Sequence, residues 1–368
     1  MVVERVNGMK VTYKRVIKRI LTISLAMALF IVSANVLRYM LIDDTKSYTR
    51  IMLHQLYNSA DNIDVLFLGS SHVYRSIVPQ IIDGGLGVHS FNAGSSAQKM
   101  DASYFLLKEA AKTNKIDTVY LELYYGVAKN EKKTERTKMT STYIISDYAK
   151  MSKDKIAFLM HATSKDNMAN SFILARRNWN KLFEPTYIFK LIKEKSSSNY
   201  RNFIWTRVAG DEEYYVDRGF VANDGMTKGI SEWPDTVYDP IEIAGLRDED
   251  NDWRKDIEAI VDFCNENDIS LCFYIAPIPH DTIVAKGNYQ EYHDLIEEIA
   301  KNNGVEFVDF CFIRPEYFDT TDMSLYKDEG HLNTQGAEKF SELFCDVMQG
   351  RYSKDEVLFS TVKDNDVK

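Results

Sequence analysis

The chain has 368 residues, 45% of them hydrophobic and 12% aromatic, which excludes a disordered chain and allows one large domain or two with a sizeable core. Its formal net charge is -9. That balance excludes nucleic acid as the main ligand, because a phosphate backbone requires a concentrated basic surface.

The positive charge gathers at the N-terminus. Arg5, Lys10, Lys14, Arg15, Lys18 and Arg19 precede Ile20 to Leu37, a run without a charged residue that would rise roughly 27 Å as a helix, about the hydrocarbon thickness of a bilayer. The basic flank lies before the run and Asp43 and Asp44 lie after it. The positive-inside rule therefore gives a cytoplasmic segment over 1–19, a transmembrane signal anchor over 20–42, and an extracytoplasmic remainder of a single-pass cell-membrane protein. Val32-Ser33-Ala34 also has the small-residue look of a cleavage site, so a cleaved signal peptide stands as the rival reading. The uncleaved anchor is adopted because apolar residues continue to Leu37 and, past Arg38, from Met40 to Ile42.

Strand and helix signals then alternate. Short apolar or β-branched runs at Ile63 to Leu68, Val88 to Ala93, Ile116 to Gly126, Ile269 to Ile278 and Val305 to Phe312 read as strands. Amphipathic stretches at Ala102 to Lys112, Trp253 to Asn265, Tyr289 to Asn302 and Thr334 to Met348 read as helices. Strands separated by helices predict βαβ units, a parallel sheet with helices on both faces, and a ligand site beyond the carboxyl ends of the strands. Gly69-Ser70-Ser71 and Gly94-Ser95-Ser96 both stand at such ends.

The alternation stops over 127–250, too long for a loop. This insertion or cap opens with the charged run "KNEKKTERTK", continues with helices predicted near Tyr143 to Leu159 and Asn167 to Leu182, and carries Trp179, Trp205 and Trp233. Aromatic faces can stack on sugar rings, but an insertion must build a small core of its own, and core packing is the role assigned to these tryptophans. The expected α/β catalytic domain thus comprises 43–126 and 251–350, followed by a tail over 351–368. Cys264, Cys272, Cys311 and Cys345 sit in apolar periodic segments without any C-x-x-C and read as buried free thiols. No zinc-ligand spacing and no H-E-x-x-H helix occurs, so neither a metal nor another cofactor is argued.

The chemistry gathers at the two ends of the α/β region. In "LYKDEGHLNTQGAEKF" Asp328 precedes His331 by three residues on a turn before a helix. At that spacing the carboxylate can accept from the imidazole Nδ1–H and leave Nε2 to take a proton from a serine hydroxyl. A serine at the end of the first strand would complete nucleophile, base and orienting acid.

With "GSSH", "FNAG" and "DEGHLNTQGA" together, the sequence resembles the SGNH (GDSL-like) hydrolase superfamily over Ile63 to Gly126 and Ile269 to Met348. The resemblance implies a flavodoxin-like three-layer α/β fold, with the large insertion and the N-terminal helix outside it. It also implies Ser71 as nucleophile, Asp328 and His331 as its partners, and the amides of Ser71 and Gly94 as oxyanion donors. Within the superfamily the motifs look most like membrane-anchored proteins that modify surface polymers, of the D-alanyl-lipoteichoic acid biosynthesis and polysaccharide O-acetyl transfer types. One departure is plain: the third block normally carries Gly-x-Asn-Asp, and here the third strand reads "LELYYG". Either Asn92 or a backbone amide near Ser95 replaces that asparagine's hydrogen bond, or the site is weaker. Ser70, His72, Ser95, Glu122 and His280 are further candidates for substrate contact.

The function expected is serine-dependent O-acyl transfer or ester hydrolysis on an acylated cell-surface polysaccharide or teichoic-acid-like polymer, with a membrane-bound acyl-transfer protein as a possible partner. Transferase and hydrolase share an acyl-enzyme and stay undecided at this level. The rival class is a non-catalytic binding or assembly component of a surface-polymer complex.

Overall fold

A computed structural model describes residues 2–129 and 139–359, with side chains from residue 13 onward. The charged run beyond Lys129 and the last residues of the tail lie outside the described residues. The chain divides into two compact units, one formed by Met1–Thr45 with Ala169–Arg201 and the other by Lys46–Met168 with Asn202–Lys368.

The larger unit is an α/β sandwich. Its strands are β1 (Val65–Gly69), β2 (Ser90–Gly94), β3 (Thr118–Glu122), the short antiparallel pair β4 (Glu213–Tyr215) and β5 (Val221–Asn223), then β6 (Ser270–Ile275) and β7 (Glu306–Asp309). Five of them form one parallel sheet in the order β2-β1-β3-β6-β7. Counting only the strands of that sheet, this is the flavodoxin-like order, in which the chain reverses its direction of winding around β1. Parallel strands covered on both faces need apolar residues on both, and β1 shows why this sequence complies. Leu66 and Leu68 pack with Phe105, Leu106 and Ile260 on one face, and Val65 and Phe67 with Tyr274, Phe340 and Phe344 on the other.

Each strand of the parallel sheet overlaps a predicted run: β1 and β2 extend one residue past theirs, to Gly69 and Gly94, while β3, β6 and β7 stop short, and the pair β4–β5 was not predicted. The third run ends as strand at Glu122 and the last at Asp309, and each is followed by a 3-10 turn, at Tyr125–Val127 and Phe310–Phe312. At Asp309 the reason is local: its side chain accepts from the Cys311 amide and pulls the chain out of the extended state. The helices Met100–Ala111, Asp252–Glu266, Tyr289–Asn302 and Thr334–Met348 lie where the periodicity places them.

The insertion departs from its expected form. Instead of one helix from Tyr143 to Leu159 there are two, Thr140–Ser146 and Lys153–Ala162, because Ser152 accepts from the Lys155 amide and caps a fresh start. Instead of a helix over Asn167 to Leu182 there are short pieces with a break at Asn178. Residues of β4 and β5 and their turn cover the exposed edge of β2: the Asn92 amide donates to Arg218 O at 3.0 Å. Gly219 holds φ at +84° in that turn, and a Cβ there would sit 1.9 Å from Asn92 O, so only glycine lets the turn close on the strand. All four cysteines are buried and unpaired.

The smaller unit carries the apolar helix. Val2–Leu41 is one continuous helix, and its Tyr13–Leu41 stretch is long and apolar enough to cross a membrane, with side chains exposed along most of its length and Leu41 buried at its end.

Candidate active site

The site lies beyond the carboxyl ends of β1 and β3, where the strand order switches direction. Chain direction must turn sharply after β1, and two glycines make the space. Gly69 has φ +148°, and a Cβ on it would stand 2.7 Å from the Glu122 Cβ. A Cβ on Gly94, at the end of β2, would meet Ser70 O at 2.9 Å and the Val73 Cβ at 3.0 Å. Gly94 is therefore a packing requirement of the Ser70–Ser71 turn, whatever its amide does.

The helix Ser71–Ser76 starts directly after the turn. Ser70 is its N-cap: the hydroxyl accepts from the His72 amide at 3.3 Å and donates to Glu122 Oε2 at 3.0 Å, and the Ser70 amide donates to the same oxygen at 3.3 Å. Fixed this way, Ser70 is fully buried and leaves Ser71 half-exposed at the first helical position, where the backbone N–H has no intrahelical partner.

On the other side, a tight hairpin brings Tyr326 against Leu332, with the Lys327 amide donating to His331 O at 3.0 Å. Asp328 Oδ1 accepts from the Gly330 amide at 3.0 Å, the His331 amide at 2.9 Å and His331 Nδ1 at 2.8 Å. The opposite imidazole nitrogen, Nε2, lies 2.7 Å from Ser71 Oγ. Burial works against ionisation of Asp328, but the His331 hydrogen bond and charge, Lys327 and the Gly330 amide together hold its carboxyl well below the usual range. An ionised carboxylate only accepts, so Nδ1 carries the proton toward Asp328. In a neutral imidazole that leaves Nε2 as the acceptor for the Ser71 hydroxyl.

His72 and Tyr124 wall this histidine. The His72 ring stacks on His331 with centroids 4.6 Å apart and packs at a tilt against Tyr124 with centroids 3.7 Å apart. Burial, followed by the nearby His331 charge, lowers the His72 pKa well below its ordinary value. A neutral His72 can face an imidazolium at His331 without charge repulsion. Tyr124 lies two residues past the end of β3, and its hydroxyl is 3.6 Å from where a Cβ on Gly330 would be. Its position just past the third strand is the only sequence signal that could have singled it out.

The structure thus brings Ser71, His331 and Asp328 together, with Gly94 against the Ser70–Ser71 turn. Several other candidates are sealed away from substrate. Ser70, Asn92, Ser95 and Glu122 are fully buried, and His72 is 3% exposed. Asn92 donates its side-chain amide to Ile77 O at 2.7 Å, so this amide is committed to the fold and is not the missing oxyanion donor. Glu122 supports the turn from below, and burial pushes its carboxyl up to about 8 against the hydrogen bonds from Ser70 and the Tyr124 amide. Ser95 closes a turn through its carbonyl, which accepts from the Gln98 amide at 3.2 Å. His280 opens the helix His280–Lys286, which is tied to the hairpin carrying Asp328 and His331 where the Thr282 hydroxyl donates to Glu329 O at 2.6 Å.

Part of the insertion braces the same hairpin, which the sequence reading did not foresee. Thr227 donates its amide to Tyr326 O at 3.0 Å, Asn333 Nδ2 donates to Gly225 O at 3.2 Å, and the Thr334 hydroxyl donates to Asp224 Oδ1 at 3.0 Å. Of the insertion's tryptophans, Trp233 is buried with its indole N–H on the Thr227 hydroxyl at 2.9 Å. Trp205 is half-buried, and Trp179 is 61% exposed. For Trp179 the core assignment is corrected.

No family model matches the chain, and no curated protein matches it. Several solved structures are similar to it, among them two of low identity. One is a candidate acylhydrolase from Bacteroides fragilis NCTC 9343, at 10% identity and a TM-score of 0.37 over 83% of this chain and 99% of that one. The other is a candidate platelet activating factor from Streptococcus pneumonia, at 11% identity and a TM-score of 0.38 over 87% and 98%. At such identity and scores neither carries weight for the chemistry, which rests on the geometry of Ser71, His331 and Asp328.

Proposed function

We propose that this protein is an SGNH-type serine enzyme that transfers or hydrolyses an O-acyl group on a cell-surface polysaccharide or teichoic-acid-like polymer, held at the membrane by its N-terminal helix with the α/β unit outside the cytoplasm. One observation carries the chemical part: a half-exposed serine hydroxyl 2.7 Å from an imidazole nitrogen whose other nitrogen is 2.8 Å from a carboxylate. Ser71 Oγ attacks the acyl carbonyl while His331 Nε2 removes its proton. The carbonyl oxygen, now negative, is held by the amides of Ser71 and Gly94. His331 then returns the proton to the departing oxygen, leaving an ester on Ser71, and a sugar hydroxyl or water resolves that ester by the same steps in reverse order. Asp328 keeps the imidazole in the required tautomer throughout.

The third oxyanion donor expected from the resemblance is absent from Leu123-Tyr124, and the Tyr124 hydroxyl takes that place in this reading. The polymer substrate and the topology draw support from the long apolar helix and the basic residues before it. Incubating the full chain in detergent with an acylated oligosaccharide donor and a labelled sugar acceptor separates the outcomes. Acyl on the acceptor identifies a transferase and free acid a hydrolase. No turnover of either kind by a folded protein would favour a binding or assembly component.

A further inference from the structure

The span helix ends at Leu41, and a helix end leaves its last carbonyls without intrahelical partners. Here the segment Ala169–Arg201 supplies them. Asn178 Nδ2 and the Tyr187 hydroxyl donate to Leu41 O at 3.3 and 3.4 Å, and Lys195 Nζ donates to Tyr39 O at 3.1 Å and also to Ile42 O. Lys195 further pairs with Asp44 at 2.8 Å, with side chains 1% and 4% exposed, and the Tyr200 hydroxyl donates to Asp44 at 3.0 Å. A buried ion pair and four carbonyl contacts fix the segment to the final turn of the helix. Among them the lysine ammonium also meets the negative end of the helix dipole.

That attachment sets its depth. The uncharged run closes at Leu37 and Arg38 follows, so with Ile20 to Leu37 filling roughly 27 Å of hydrocarbon, Tyr39 and Leu41 stand at the headgroup level. Side chains bonded to them stand there too. The segment's outer side chains have the composition of that zone. Trp179 is 61% exposed, Leu182 44%, Phe183 76% and Phe189 75%. In the helix Pro185–Lys195, Leu191 and Lys195 point inward, while Thr186, Phe189, Lys190 and Lys193 are exposed together. Over 169–201 the sequence has seven lysines and arginines against two glutamates, in a chain of net charge -9. Exposed aromatics among basic residues suit a lipid surface, where rings enter the headgroup boundary and cations meet phosphates.

We infer that Ala169–Arg201 is a membrane-seating element, which beds Trp179, Phe183 and Phe189 into the lipid headgroup boundary of the leaflet at the Leu41 end of the span. The inference rests on reading Tyr13–Leu41 as a membrane span, and its test separates the two. The full chain is reconstituted into vesicles of phosphatidylcholine and phosphatidylglycerol, with acyl chains brominated near the headgroup or near the bilayer centre. Tryptophan emission is then recorded for the parent, W179F and a Phe183→Ser/Phe189→Ser double variant. One tryptophan in four touches lipid on this account, so bromine near the headgroup should remove about a fifth to a quarter of the emission, and central bromine much less. W179F, a substitution at an exposed ring, should lose that quenching, and the double variant should weaken it. Alkaline carbonate extraction of the same vesicles reports on the span itself. Unquenched emission from a chain that resists extraction would overturn the seating element alone and hand this face to a protein partner. A chain released by carbonate would overturn the span reading and the inference with it.

Discussion

Glu122 offers a quantitative handle on the Ser70–Ser71 turn. Its carboxyl is fully buried beneath Ser70, and burial lifts its pKa from 4.5 to about 8. A raised acid pKa means that the folded state holds the proton where the unfolded chain has released it. Stability from this group is therefore fully present below pH 4.5 and is lost as pH rises toward 8. With those two values, the loss between pH 5 and pH 9 amounts to roughly 4 kcal/mol. Glu122→Gln retains an oxygen to accept from the Ser70 amide and hydroxyl but cannot ionise. Urea unfolding of the full chain in mild detergent, followed by tryptophan emission at pH 5, 7 and 9, should show the parent losing stability relative to E122Q by about that amount across the range. The variant should also keep most of whatever turnover of an acyl donor the parent shows at neutral pH, since the buried carboxyl lies beneath Ser70 and away from solvent. Parallel pH profiles for the two proteins would refute the reasoning, because they would mean that Glu122 titrates normally and is not sealed under the turn.

Other perturbations test other parts of the site. Ser71→Ala should lower turnover of an acyl donor by about 10³-fold or more with little loss of stability, checked by kinetics beside thermal unfolding. Ser70→Ala should instead cost about 1 kcal/mol, because it removes the cap on the His72 amide, and thermal unfolding measures it. Asp328→Asn should reduce turnover by about 10²- to 10⁴-fold through the wrong imidazole tautomer, with substrate affinity little changed in the same kinetics. Gly94→Ala would place a methyl 2.9 Å from Ser70 O, and should destabilise by about 1–3 kcal/mol while displacing the nucleophile, read by unfolding and turnover together. Tyr124→Phe keeps the ring against His72 but removes the hydroxyl, and if that group holds the oxyanion, kcat should fall by about 10²-fold.

The sheet was legible because each of its strands centres on a short apolar run and four covering helices have a clean 3.6-residue pattern, whereas the short helices Tyr48–Tyr57 and Pro79–Leu86 were not foreseen. Asp328 and His331 were legible because three residues on a turn bring a carboxylate to an imidazole without help from the rest of the fold. Ser70 and Glu122 are different: 52 positions separate them, and only the pairing of β1 with β3 brings one beneath the other. A serine after a strand therefore read as a candidate substrate contact, although it is a buried cap. Asn92 misled for a related reason, since nothing local reveals that its amide is held by Ile77 O. In the insertion, caps such as Ser152 and the break at Asn178 divide stretches whose hydrophobic spacing alone suggests longer helices. Trp179 was assigned to a core by composition, whereas the bond from its neighbour Asn178 to Leu41 O holds that part of the chain at the end of the helix Val2–Leu41.

The central claim is that Ser71 is a nucleophile activated by His331. Treating the full-length protein with a fluorophosphonate and mapping the adduct by mass spectrometry tests it most directly. The account predicts a single adduct on Ser71, absent from Ser71→Ala and formed far more slowly in His331→Ala, with Ser70 unmodified. A folded protein whose Ser71 stays unlabelled, or labels as fast without His331, would contradict it.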